Sequence, residues 1–351
     1  MKKLLVLLLT LALVLVFTAC SAGTTATETT KAAETTTAKP AHGIINIKYC
    51  VTGSEESYVG KYSKYFADLL NKEMSDVLHV DYYPNEQLGS GTEQLENLQA
   101  DLQQMYSGSF DMASQYAKDL NILTMAYAFN SQEHLDAFLK SDFCKNIWDK
   151  MYENVGIKLV TCDMSRLPRC FVSKKPIYSK SDMKGLLWRV PDIDIYYKNI
   201  EFMGATPTYV AWSEVPYALM QGTVDACETT CEYVHPTSLH TVAPNISICE
   251  YAYAREAIYL NSQTWEKFTD EEKDRFMECS AKAADYYNDM VSKDWETNKA
   301  KIIAEGGKII EKSQMDIDSF KVGLEEYAAK LEAGGVWETK GLFDLVRNLK
   351  Y

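Results

Sequence analysis

Ile45-Asn-Ile-Lys-Tyr-Cys-Val51, Tyr58-Val-Gly-Lys-Tyr-Ser-Lys-Tyr-Phe-Ala-Asp-Leu-Leu70 and Val77-Leu-His-Val-Asp-Tyr-Tyr83 are the segments whose reading decides the fold class. The first reads as a buried strand, closed by a turn at Thr52-Gly53-Ser54. In the second, Tyr58, Tyr62, Tyr65, Phe66, Leu69 and Leu70 recur at i, i+4, i+7, i+8, i+11 and i+12, the period of an amphipathic helix. The third returns to strand. Pro84-Asn85 then turns the chain into a helix expected over about Thr92 to Met105. Strand, helix, strand and helix in this order predict an α/β lobe with a largely parallel sheet.

Further along, Leu186 to Val190 reads as a strand closed by Pro191, and Ala205 to Val210 as another. Ser213 to Gln221 reads as a helix with Gly222 as its C-cap, followed by a short strand at Thr223 to Cys227. This region is again α/β. Thr269 and Glu272 then form a capping-box pair, and good helix formers continue without Gly or Pro to Gly306-Gly307. A helix of about 35 residues is about 50 Å long, whereas a small lobe is nearer 30 Å across. The helix is therefore expected to run across two lobes.

The N-terminus reads as an export signal. Lys2 and Lys3 precede an apolar run from Leu4 to Phe17, too short for a comfortable membrane span, and Thr18-Ala19-Cys20 follows. Residues 1–19 read as a signal peptide. Cys20 resembles the lipidated cysteine of a bacterial lipobox, with Phe17 in place of the more usual leucine; plain secretion is the alternative. Residues 21–43 hold eight threonines and little apolar bulk, the composition of a flexible tether. The remaining 308 residues from Ile44 exceed the size of a single core, so two lobes are expected.

The formal charge is −13, which argues against nucleic acid as a partner and against a basic membrane-binding patch. An anionic ligand would have to be held by a few local cations. The eight cysteines other than Cys20 are scattered through apolar runs of a large chain and read as buried free thiols.

The densest block is Arg169-Cys-Phe-Val-Ser-Lys-Lys-Pro-Ile-Tyr-Ser-Lys-Ser-Asp-Met-Lys-Gly-Leu-Leu-Trp-Arg189-Val-Pro, continued by Gly204-Ala-Thr-Pro207 and by Ser213-Glu-Val-Pro-Tyr-Ala-Leu-Met-Gln-Gly-Thr-Val-Asp-Ala-Cys-Glu228. Together with Tyr83-Pro-Asn-Glu-Gln-Leu-Gly89 and Gly108-Ser-Phe-Asp-Met112, it resembles the substrate-binding subunits of TRAP transporters, the tripartite ATP-independent periplasmic family. The resemblance covers roughly Ile45 to Glu305. It implies a two-lobe periplasmic-binding-protein fold with a central cleft and crossing hinge segments. Residues 44–166 plus about 255–294 would form one lobe, and about 167–254 plus 295–351 the other. It further implies a monomer that captures a small carboxylate-bearing acid and delivers it to integral-membrane permease subunits. The protein would be extracytoplasmic, touching the membrane only through its lipid.

Arg189 is the leading site candidate on chemical grounds as well. It stands near the carboxyl end of a strand among apolar neighbours, where open α/β sheets place ligands. A partly buried guanidinium needs a planar anion, and a carboxylate accepts its fork in two parallel bonds. A structural ion pair with a protein acid is the alternative. The resemblance assigns Arg189 as the main carboxylate clamp and Arg169 as its aid; the other reading leaves Arg169 facing solvent. Trp212 falls where the family sets an aromatic ring against the ligand, and its alternative is a core position. Glu228 and Thr229 are further ligand-binding candidates, Thr229 standing where many members of the family carry a ligand-contacting asparagine. Tyr58, Gln115 and Tyr116 are expected on the opposite wall.

No GxSxG, HExxH, Walker loop or GxGxxG after a strand is present, so neither an enzyme nor a cofactor is expected. Cys227, Cys231 and His235, with His240 beyond, leave a metal-binding lipoprotein as one alternative; a binding protein of another importer class is a second. Positions i, i+4 and i+8 of one helix spread over about 12 Å, too far to share one zinc, and Pro236 breaks such a helix. Composition does not choose among a dicarboxylate, a sugar acid and an aromatic acid.

Overall fold

The computed structural model describes residues 42–351; the expected signal peptide, Cys20 and most of the tether lie outside them. Among the described residues no helix is long and apolar enough to cross a membrane. In chain order the strands are β1 (Ile45–Val51), β2 (Leu78–Tyr83), β3 (Met105–Ser109), β4 (Ile157–Ser165), β5 (Arg169–Ser173), β6 (Leu187–Val190), β7 (Thr206–Tyr209), β8 (Ala226–Thr230), β9 (Asn245–Ser247), β10 (Arg255–Asn261) and β11 (Lys308–Ile310). They form a five-stranded sheet of order β2-β1-β3-β10-β4 and a six-stranded sheet of order β11-β9-β5-β8-β6-β7. The fold is a two-lobe α/β structure with a cleft between the lobes.

The sheets are mixed rather than largely parallel. β1 pairs parallel with β2 and β3, but β10 runs antiparallel to both β3 and β4. In the second sheet β6 is parallel to β7 and β8, while β5 is antiparallel to β8 and β9. The cause is the path of the chain. β4 ends at Ser165 in the first sheet and β5 starts at Arg169 in the second, so Arg166-Leu167-Pro168 alone carries the crossing. The chain crosses back between β9 and β10.

Local chemistry sets the helices. Ser57 caps the Tyr58–Glu73 helix by accepting from Gly60 N at 3.1 Å, and Tyr58, Tyr62, Phe66 and Leu70 form its buried face. Thr269 and Glu272 make the expected capping box at the start of a 35-residue helix, Asp270–Ala304. At 1.5 Å per residue it is about 52 Å long. Phe276, Cys279, Ala283, Tyr287 and Val291 pack into the first lobe's core, and Ile302 into the second's. One helix thus serves both lobes as a spine.

Two expected boundaries differ. The helix expected to reach Met105 spans only Gly91–Gln99. Asp101 takes a left-handed conformation (φ 55°), and Gln104 is already committed to the sheet, its N–H on Lys48 O and its C=O accepting from Asn261 N. Sheet pairing overrides helix propensity there. The strand expected at Thr223–Cys227 is β8, Ala226–Thr230, so Glu228 and Thr229 lie inside a strand. Gly222 caps the preceding helix as expected, with φ 80°. All eight described cysteines are free; seven are buried and Cys162 is half-buried.

The spine should carry much of the stability. The fully buried Phe276 ring lies 5.5 Å from Phe66, 5.6 Å from Phe268 and 5.9 Å from Trp265. Phe276→Ala is expected to cost about 3–5 kcal/mol in urea unfolding, the range for a cavity left by a buried aromatic. A loss under about 1 kcal/mol would show that this end of the spine is not core.

Candidate functional site

A cavity with about 550 Å³ of empty space, part of it open to solvent, lies where the two sheets face each other. Thr52, Gly53, Gly108 and Ser109 reach it from the ends of β1 and β3, and Arg189, Glu228 and Thr229 from the ends of β6 and β8. These are carboxyl ends of parallel strands, where backbone groups and side chains are free to meet a ligand. β10, running the other way, contributes Glu256 from its start.

Arg189 is 5% exposed, and its Nε donates to Val210 O at 2.8 Å. That bond fixes the plane of the guanidinium and leaves its outer fork free. Among the described residues Arg189 has no salt-bridge partner, so the reading of a structural ion pair does not hold. Burial pushes its pKa down from the ordinary arginine value, although Glu228 opposes the shift. The guanidinium carbon sits 5.4 Å from the Trp212 ring centroid. Trp212 is half-buried and lines the cavity, with its ring 6.1 Å from that of Tyr233.

Arg169 is equally buried but fully engaged. It pairs with Glu228, donates to the Tyr196 hydroxyl, and lies 3.8 Å from Asp111 Oδ2. Tyr196 in turn donates its O–H to Asp111 Oδ2 at 2.5 Å, and Tyr251 donates to Glu228 Oε2 at 2.9 Å. Burial alone would raise the Asp111 pKa. The Arg169 charge and the Ser109 and Tyr196 hydroxyls outweigh it and hold Asp111 below the usual carboxylate range. Arg169 does not face solvent.

Arg166, which sequence reasoning passed over, is the third guanidinium at the cavity. It donates to Thr230 Oγ1 at 2.7 Å and meets Glu232 at 3.3 Å and Glu256 at 3.4 Å. It also lies 4.5 Å from the Tyr233 ring centroid, and Tyr233 donates to Glu256 Oε1 at 2.7 Å. Tyr196, Tyr233, Glu256 and Met112 were likewise missed.

Three expected residues are not at the cavity. Tyr58 is buried under the spine, its hydroxyl accepting from Asn298 Nδ2 at 2.7 Å and donating to Asp294 at 3.4 Å. The 3₁₀ turn Phe110–Gln115 sets Met112 on the cavity and buries Asp111. This leaves Gln115 exposed, with Nε2 on Thr92 O at 3.4 Å, and sets Tyr116 on a separate groove with Asp119 and Lys150. The Cys227, Cys231 and His235 set is not brought together either. Both thiols sit in the second lobe's apolar core, while His235 turns toward Glu305 at 3.4 Å, beside His240. Arg189, Arg169, Trp212, Glu228 and Thr229 do converge on the cavity.

A family profile described as bacterial extracellular solute-binding protein, family 7 (DctP), matches residues 50–333. The chain belongs to this family. It is an extracytoplasmic solute-binding protein of that family. A solute-binding protein of Roseobacter denitrificans is 26% identical over 215 residues, which are 59% of this chain and 63% of that one. The sialic acid-binding periplasmic protein SiaP of Vibrio cholerae is 24% identical over 243 residues, 69% of this chain and 74% of SiaP. Among solved structures, a TRAP periplasmic solute binding protein from Roseobacter denitrificans with bound β-D-glucuronate superposes with a TM-score of 0.79. It is 22% identical, and the match covers 87% of this chain and all of that one, which bears on the fold alone.

The two kinds of arginine predict opposite stability effects. Arg166→Met strands two buried acids and is expected to destabilise the unliganded protein by about 3–5 kcal/mol. Arg189→Met removes a buried cation that has no protein acid and is expected to cost little, or to stabilise. Urea unfolding of both variants without ligand checks this; equal losses would contradict the difference in pairing.

Proposed function

We propose that the protein captures a small carboxylate-bearing organic acid in this cavity and delivers it to a membrane TRAP permease. The observation that carries the reading is Arg189: a buried guanidinium, oriented by Val210 O, aimed at a cavity and, among the described residues, without a salt-bridge partner. A ligand carboxylate would accept from both of its outer nitrogens. Trp212 would cover one side of the ligand. SiaP is named for sialic acid and the Roseobacter denitrificans structure holds glucuronate, both acids, which supports the class.

Capture would work by population shift. The cavity draws residues from both sheets, so a ligand touching both binds the closed arrangement better than an open one and shifts the protein toward it. The crossings at residues 166–168 and between β9 and β10 would serve as hinges. The lobes would comprise 44–166 with about 255–294, and about 167–254 with 295–351. Cys20 would carry the lipid that anchors a monomeric body through its tether.

Calorimetric titration against a panel of small organic acids tests the assignment. Arg189→Met is expected to weaken the best acid by about 2–5 kcal/mol, with Arg189→Lys recovering only part, since a point charge cannot make both bonds. Near-normal affinity in Arg189→Met would sink the carboxylate clamp. Separately, Cys20→Ser is expected to move the protein from the membrane fraction to the soluble one with unchanged affinity. Retention on the membrane would refute the anchor.

A further inference from the structure

The cavity holds three guanidinium groups, yet only one is free to take an anion. Arg169 is shared between Glu228 and Asp111, and Arg166 between Glu232 and Glu256. Each of these two clusters sets two buried carboxylates around one cation. Asp111 is held in its ionised form, so the Arg169 cluster has no spare positive charge. At the Arg166 cluster, burial already pushes the Glu256 carboxyl up against the pull of Arg166, and another anion beside it would push it further. Arg189 has no salt-bridge partner among the described residues.

The neighbouring cleft sharpens the point. It shares Arg189 and Trp212 with the main cavity, and its other charged lining groups are Glu86 and Asp192. A ligand extending from Arg189 therefore meets acid-saturated arginines in one direction and carboxylates in the other. Like charges brought together in a desolvated site are strongly disfavoured, and such unmatched groups are how sites reject near-analogues. The rest of the lining suits an uncharged body: Val59, Met112 and Pro191 are apolar, and Thr52, Ser109 and Thr229 carry hydroxyls.

We propose that the cavity accepts a ligand with one carboxylate and an uncharged body, and excludes dicarboxylates, with Glu228 a determinant of that choice because it occupies Arg169. This rests on the Arg189 clamp and narrows it. Glu228 acts here as negative selection: it neutralises the cation that a second ligand carboxylate would otherwise use.

The test is calorimetric titration of the wild-type protein with matched pairs on one carbon skeleton, such as D-gluconate against D-glucarate and lactate against malate. For the pair whose monocarboxylate binds, the dicarboxylate is expected to bind at least 30-fold more weakly. Its affinity should rise as pH falls through the ligand's own second carboxyl pKa, while that of the monocarboxylate does not follow. Glu228→Gln, an isosteric change checked for folding by urea unfolding, should narrow the gap at least tenfold. A dicarboxylate that binds wild type as tightly as its partner overturns the proposal and leaves the Arg189 clamp standing. If the best-bound acid keeps its affinity in Arg189→Met, the clamp itself has failed and this selectivity falls with it. The wild-type comparison decides the matter even if Glu228→Gln does not fold.

Discussion

A guanidinium removed from water without an anion is an unfavourable thing for a fold to keep, since the charge loses hydration and gains no partner. Arg189 is in that position, on a strand in the second sheet with Trp188 and Val190 fully buried beside it. Its backbone neighbour Val210 satisfies one N–H and holds the plane. The outer fork has no acid partner among the described residues. The surrounding architecture follows from the need to present this one group inside a cavity that a second lobe can cover.

Arg166 and Arg169 show the opposite treatment. Both stand on or beside the short crossing from β4 to β5, where the chain leaves one sheet for the other. Their acids come from different directions: Glu228 and Glu232 from β8 and the turn after it, Asp111 from the 3₁₀ turn after β3, Glu256 from β10. Pairs of this kind add little net stability over an apolar core, but they lose much if one member is removed. They therefore fix how the crossing meets both sheets. The spine helix adds a second tie between the lobes, through Phe276 and Tyr287 at one end and Ile302 at the other.

Much of this was legible in the sequence because the signals were local. β1, the helix carrying Tyr58, Tyr62, Phe66 and Leu70, and the Thr269 capping box depend on periodicity and on side chains within four residues, and each formed as read. Arg189 and Trp212 could be placed at the cavity because a long block resembled a known family. What failed depended on distant partners. The helix after Gly91 stops because Gln104 is claimed by β1 and β10, the latter more than a hundred residues away. Arg169 could be placed near the site, but its occupation by Glu228 and Asp111 follows from tertiary packing that no spacing rule encodes. Tyr58 has the right helix and the wrong face: its hydroxyl serves the spine at Asn298.

The most direct test of the account is a crystal structure of the acid-saturated protein. The account predicts the ligand carboxylate accepting from both outer nitrogens of Arg189, with Nε still on Val210 O and Trp212 against the ligand. A bound acid whose carboxylate avoids Arg189, or a protein acid swung in to pair with that guanidinium, would contradict it.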